Sequence, residues 1–157
     1  MNYMNYIAIL IIIIIIIIII MEILLSMYRN HRRSKYYNES LKLSKEMDKK
    51  LLVIGNPTTG FWNRNVEKAY DCGDLCLDIM GCDCANQIQG DLLNELKKME
   101  SDSFIIYESC VLEYIDQKDI PEVKNELDRV SGGNYYGVRI FPNIFPLKSK
   151  FIEIGKV

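Results

Sequence analysis

Histidine is almost missing from this chain: His31 is the single imidazole in 157 residues. It falls in a charged stretch ahead of the folded part, so a histidine-based triad and a multi-histidine metal site are both excluded there. Lys and Arg are missing before Arg29, and no small-residue A-x-A pattern follows the apolar run near the start. That run is therefore read as an uncleaved anchor, since a signal peptide would carry a basic leader and a cleavage motif. No internal repeat is present. The cysteines Cys72, Cys76, Cys82, Cys84 and Cys110 are odd in number and irregular in spacing, unlike a secreted disulfide scaffold. Chemistry in the folded part must run on carboxylates, cysteines, hydroxyls, backbone groups or a bound cofactor.

What is present is unevenly spread. Every side chain from Ile7 to Met21 is apolar, including ten consecutive isoleucines from Ile11 to Ile20. Tyr6 to Tyr28 would make a helix of roughly 34 Å, against a hydrocarbon core of about 30 Å. Glu22 lies near the carboxyl end of this stretch, within reach of headgroups, and Tyr3, Tyr6 and Tyr28 suit the two interfaces. Residues 1–28 are thus expected to be a transmembrane anchor, with a lipid membrane as the partner of residues 6–28. Arg29, His31, Arg32, Arg33 and Lys35 follow at once, which by the positive-inside tendency gives a single-pass protein with its folded domain in the cytoplasm.

Residues 22–50 carry eight Lys/Arg against four Asp/Glu, net +4, whereas residues 51–157 carry eleven against seventeen, net −6. Residues 29–50 read as a basic connector, either a solvated stalk or a segment lying on anionic headgroups. Residues 51–157 are enough for one small core, which excludes a two-domain enzyme. Their acidic balance argues against nucleic acid as a partner.

Within 51–157, Leu51–Ile54 reads as a buried strand ending in the turn-rich stretch Gly55-Asn56-Pro57-Thr58-Thr59-Gly60. A helix is expected over Phe61–Tyr70 with Thr59 as cap, then a strand at Leu75–Ile79 and a short one at Gln87–Gln89. Leu92–Met99 has helical spacing, Ser103–Ser109 is a strand, and Val111–Ile115 a helical turn. Pro121–Val130 reads as a helix, with proline at its first position and Gly132-Gly133 beyond its end. Tyr135–Phe141 is a further strand, and Phe151–Ile154 a last edge strand. The alternation predicts an α/β fold with a mostly parallel sheet flanked by helices, whose ligands bind beyond the carboxyl ends of the strands.

Three candidate features fall on those ends. Gly55, Asn56 and Gly60 belong to a loop that lets a ligand approach the backbone. Asp78 ends the second strand, where a carboxylate accepts from a ribose diol or merely closes a strand. Asp91 follows Gly90, set either for an adenine amino group or as cap of the next helix. The run Cys72-x3-Cys76-x5-Cys82-x-Cys84 holds four thiols, enough for a tetrahedral zinc site, but its spacing is unlike paired C-x2-C knuckles. Cys76 also falls inside an apolar strand, so no metal is expected.

Taken in order, LLVIGNPTTG, LCLDI, QIQGDLL and SFIIYESCVLEYI resemble the class I S-adenosylmethionine-dependent methyltransferases, over about Leu51 to Ile140. The fourth segment is the most specific: Ser103-Phe104, Ser109 and Val111-Leu112-Glu113-Tyr114-Ile115 follow the family's pattern. Val53 and Pro57 depart from it, standing where the family usually has an acidic residue and a second glycine. The resemblance implies a Rossmann-like sheet and S-adenosylmethionine as cofactor, bound through Gly55, Asn56, Gly60, Asp78 and Asp91. It implies that Glu108 and Ser109 face the methyl donor and a small-molecule, lipid or protein acceptor, with Glu108, Glu113 or Tyr114 as available bases. Two functions follow from it: a membrane-anchored methyltransferase, or a catalytically inactive domain of that fold retained for binding.

Overall fold

The computed structural model describes residues 3–57 and 69–138. The chain opens with α1 (Tyr3–Met47), a single helix of 45 residues, about 67 Å long at 1.5 Å per residue. Its first half is apolar on every side and exposed all round, with Ile9 through Leu24 contacting little else. This half is long and apolar enough to cross a membrane.

The second half of α1 belongs to the folded domain, which corrects the reading of residues 29–50 as a connector. Ser26, Ser40 and Ser44 are buried, and Tyr36, Tyr37, Leu41 and Leu43 pack on the sheet. The Ser44 hydroxyl donates to the carbonyl of Lys49 at 2.6 Å, and the Tyr107 hydroxyl to that of Arg33 at 3.2 Å. Small side chains let the helix lie close, and those hydrogen bonds satisfy polar groups that burial would otherwise strand.

Five parallel strands follow: β1 (Lys50–Ile54), β2 (Leu75–Asp78), β3 (Gln87–Gln89), β4 (Phe104–Ser109) and β5 (Tyr135–Val138), in the spatial order β3-β2-β1-β4-β5. β1 pairs with β2 through Val53 and Cys76, and with β4 through Val53 and Tyr107. Because side chains alternate across a strand, β1 and β4 supply two cores. Leu52, Ile54, Leu77 and Ile106 meet α2 (Leu92–Leu96) and α3 (Ile120–Ser131) on one face. Leu51, Val53, Ile105 and Tyr107 meet α1 on the other.

The outer helices are explained locally. In α3, Val123, Leu127 and Val130 recur at helical spacing and are fully buried. Pro121 sits in its first turn, and Gly132, with φ of 59°, ends it in a left-handed cap. Arg129 donates to the carbonyls of Leu96 and Met99, both at 2.9 Å, closing the end of α2. A 3-10 turn at Leu112–Tyr114 follows β4, where a helical turn was expected. The expected strand at Phe151–Ile154, the end of that at Tyr135–Phe141, and most of the helix at Phe61–Tyr70 lie outside the described residues.

Candidate functional site

A cavity of about 660 Å³ opens at the carboxyl ends of β1, β2 and β4, where ligands of parallel sheets bind. Its volume is within the usual range for small-molecule sites. Of the residues the sequence singled out, Gly55, Asn56, Asp78, Asp91 and Ser109 all contribute to its wall. Gly60 lies outside the described residues.

The floor is a bend at the end of β1. Gly55 has φ of 101°, and a Cβ there would stand 2.9 Å from the Ser109 carbonyl oxygen and 3.0 Å from Val111 Cγ2. Only glycine fits this close approach. Asp78 ties the bend to β2, accepting from the Asn56 N–H at 3.0 Å on Oδ2 and from the Met80 N–H at 2.8 Å on Oδ1. An ionised carboxylate offers about four acceptor positions, so two remain for a ligand. The Asn56 amide donates to the Gly81 carbonyl at 2.8 Å, and the Tyr70 hydroxyl to that of Asn56 at 3.2 Å.

Asp91 is both wall and cap: its Oδ1 accepts from the Asn94 N–H at 3.1 Å. Glu108, expected to face the methyl donor, is fully buried and is not among the residues that line the cavity. Its Oε1 accepts from the N–H groups of Val111 and Leu112, fixing the turn after β4. Ser109 lies at the cavity, mostly buried.

Sequence reasoning missed the wall that α1 provides. Ser26, Arg29, Asn30 and Arg33 also line the cavity; they were missed because the segment was read as lying outside the domain. The Arg33 guanidinium donates to Cys110 Sγ at 3.2 Å, while its Nε is buried with no hydrogen-bond partner among the described residues. Cys110 occupies a left-handed conformation with φ of 64°. Burial raises the pKa of its thiol, with the Arg33 charge opposing. Burial likewise holds the phenols of Tyr70 and Tyr107 protonated beyond their usual range.

The remaining four cysteines lie beside β2 as two disulfides, where their count and spacing were read as unlike a disulfide scaffold. Cys72 is bonded to Cys84 and Cys76 to Cys82, and the sulfurs of Cys76, Cys82 and Cys84 all lie within 4.8 Å of one another.

One feature of the rim stands out physically. Among the described residues outside α1, the large apolar side chains left exposed are Ile79, Met80 and Tyr114, at 67%, 81% and 81%. All three border this cavity. Comparison with protein-family models, with curated proteins and with solved structures returns no match.

Proposed function

We propose that the chain is a membrane-anchored S-adenosylmethionine-dependent methyltransferase whose acceptor is an amphiphile reaching the site from the bilayer surface. The observation that carries the reading is the contact between the Asp78 carboxylate and the Gly55-Asn56 bend, at the carboxyl ends of parallel strands ordered β3-β2-β1-β4-β5. That order reverses between β1 and β4, the crevice where Rossmann-like sheets hold nucleosides.

The residues present fit the cofactor. Gly55 lets the end of β1 bend against β4 beside the cavity, Asp78 and Asp91 offer acceptors to ribose and adenine, and the Arg33 guanidinium in the wall is a charge suited to a carboxylate. When bound, S-adenosylmethionine would supply an activated methyl group on a sulfonium. The chain's own part is to position and to exclude water: Ser109 and Tyr70 border the reacting region, and Glu108 acts as a positioning residue by holding the Val111-Leu112 turn.

The acceptor class follows from α1. Arg29 and Arg33 stand about 2 and 8 Å along the helix beyond Tyr28, where the apolar stretch ends. That is within the headgroup layer of a bilayer whose core the first half of α1 spans. The cavity mouth then faces the lipid, which accounts for Ile79, Met80 and Tyr114 being apolar and exposed.

The test uses the full chain in nanodiscs with a photoreactive phenylalanine analogue at position 80 or, as a control at the strands' amino ends, at position 100. Lipid capture at 80 and not at 100, together with transfer of tritiated methyl from S-adenosylmethionine to the lipid fraction that Asp78→Ala abolishes, is the expected result. Capture without transfer favours the alternative, an inactive domain retained for binding. The inward turn of Glu108 and the engagement of both Asp78 oxygens by backbone favour that second reading. Equal capture at both positions removes the membrane-facing site.

A further inference from the structure

The four-sulfur cluster lies apart from the proposed transfer chemistry and asks for its own account. Cys72 precedes β2, Cys76 is on it, and Cys82 and Cys84 follow it in the stretch before β3, which has turns and bends but no helix or strand. Cys76 and Cys82 are buried, at 0% and 5% exposure. Four zinc–thiolate bonds of about 2.3 Å set tetrahedral sulfur–sulfur edges of about 3.8 Å. The sulfurs of Cys76, Cys82 and Cys84 are already within 4.8 Å of one another, and Cys72 Sγ is bonded to that of Cys84. With the Cys72–Cys84 and Cys76–Cys82 bonds reduced, a tetrahedral site needs the Cys72 sulfur to join the other three at those edges.

Compartment decides which bonds the sulfurs make. Basic residues directly after the span and a leader without Lys or Arg before it favour, by the positive-inside tendency, a domain on the cytoplasmic side, where thiols are kept reduced. Four reduced thiols packed this closely are a soft ligand set, and zinc is the abundant cation that such a set selects. We propose that Cys72, Cys76, Cys82 and Cys84 bind one zinc ion. On binding, each thiol releases its proton to solvent and one Zn–S bond forms per cysteine. No electrons change hands, and the closed site carries two negative charges. With no open coordination position, the ion is structural.

Its task is visible in what the cluster adjoins. Cys76 Sγ is 3.8 Å from the Gly55 carbonyl oxygen, the Cys82 N–H donates to the Gln87 side chain at 2.8 Å, and Gly81 is held by Asn56. The ion therefore fastens the 79–82 loop, and with it Ile79 and Met80, to the end of β1. Zinc loss would loosen one side of the cavity without touching its far wall.

Native mass spectrometry of the full chain, extracted in detergent from the membranes of a host under air-free conditions, tests this directly. One zinc per chain with all five thiols otherwise intact is expected. Cobalt added to metal-free protein should give the absorption of tetrahedral thiolate ligation. Cys110→Ser should keep the full zinc content and Cys82→Ser should lose at least four-fifths of it. A chain four hydrogens lighter and without metal means that the cysteines are disulfides, and overturns the proposal. So does a chain with five free thiols and no metal. Because the readout needs no S-adenosylmethionine, failure here and failure of the methyltransferase reading are separate results.

Discussion

Cutting the chain before Lys45 should abolish folding of the sheet, whereas cutting it before Glu22 should not. The reason is the cover that the second half of α1 provides. Leu51, Val53, Ile105 and Tyr107 have no exposed surface, and Tyr36, Tyr37, Leu41 and Leu43 pack against their cluster. Full burial of an aliphatic or aromatic side chain stabilises by about 1.5–3 kcal/mol. Losing half of that burial across these side chains and their neighbours Tyr136 and Val138 costs about 5–9 kcal/mol. A domain of this size is stable by only about 5–15 kcal/mol in all. The Tyr107 hydroxyl also loses its acceptor, the Arg33 carbonyl, and the Lys49 carbonyl its donor, the Ser44 hydroxyl. Urea unfolding followed by circular dichroism, with limited proteolysis alongside, compares fragments 22–157 and 45–157. The longer should unfold in one cooperative transition and the shorter should show none. A cooperative transition in 45–157 at the same midpoint would refute the assignment of α1 to the core.

Other consequences concern the cavity and its surroundings. Gly55→Ala should destabilise by more than about 1 kcal/mol, because a Cβ at positive φ meets the Ser109 carbonyl; an unchanged urea midpoint would show that the bend has room. Asp78→Asn should weaken S-adenosylmethionine binding at least tenfold, the worth of about one charge-assisted hydrogen bond, which calorimetry reads. Alkaline stability should fall in a defined direction. Cys110, Tyr70 and Tyr107 have pKa values raised in the folded state, chiefly by burial. Their stabilisation is full below the ordinary thiol value and is lost as pH rises above it, since the unfolded chain ionises first. Each contributes a slope of up to about 1.4 kcal/mol per pH unit. Tyr107→Phe should flatten the decline above pH 10; an unaltered slope would show that its phenol ionises in the folded state.

Much of the sheet was legible because its causes are local. Leu51–Ile54 is a continuous apolar run, as a strand buried on both faces requires, and Pro121 and Gly132 bracket α3 by backbone geometry alone. The strand-end position of Asp78 followed from the same pattern. The role of α1 was not legible because the helix buries serines and an arginine, so its polarity reads as exposure. The Ser40 and Ser44 hydroxyls donate to the carbonyls of Tyr37 and Lys49, a fact about partners and not about composition. The resemblance set Glu108 facing the methyl donor, as one of three available bases; its two backbone donors lie three and four residues on, in a turn whose direction the residues alone do not dictate. The gathering of four cysteines likewise depends on how the 79–86 segment folds back along β2.

The central claim is that the crevice beside Asp78 and Gly55 holds S-adenosylmethionine. Isothermal titration of that ligand into the full chain in detergent tests it with the sheet and its α1 wall intact. The account predicts saturable heat at one site per chain in the micromolar range, removed by Asp78→Ala. No heat at millimolar ligand, from protein whose fold is verified by its unfolding transition, would contradict it.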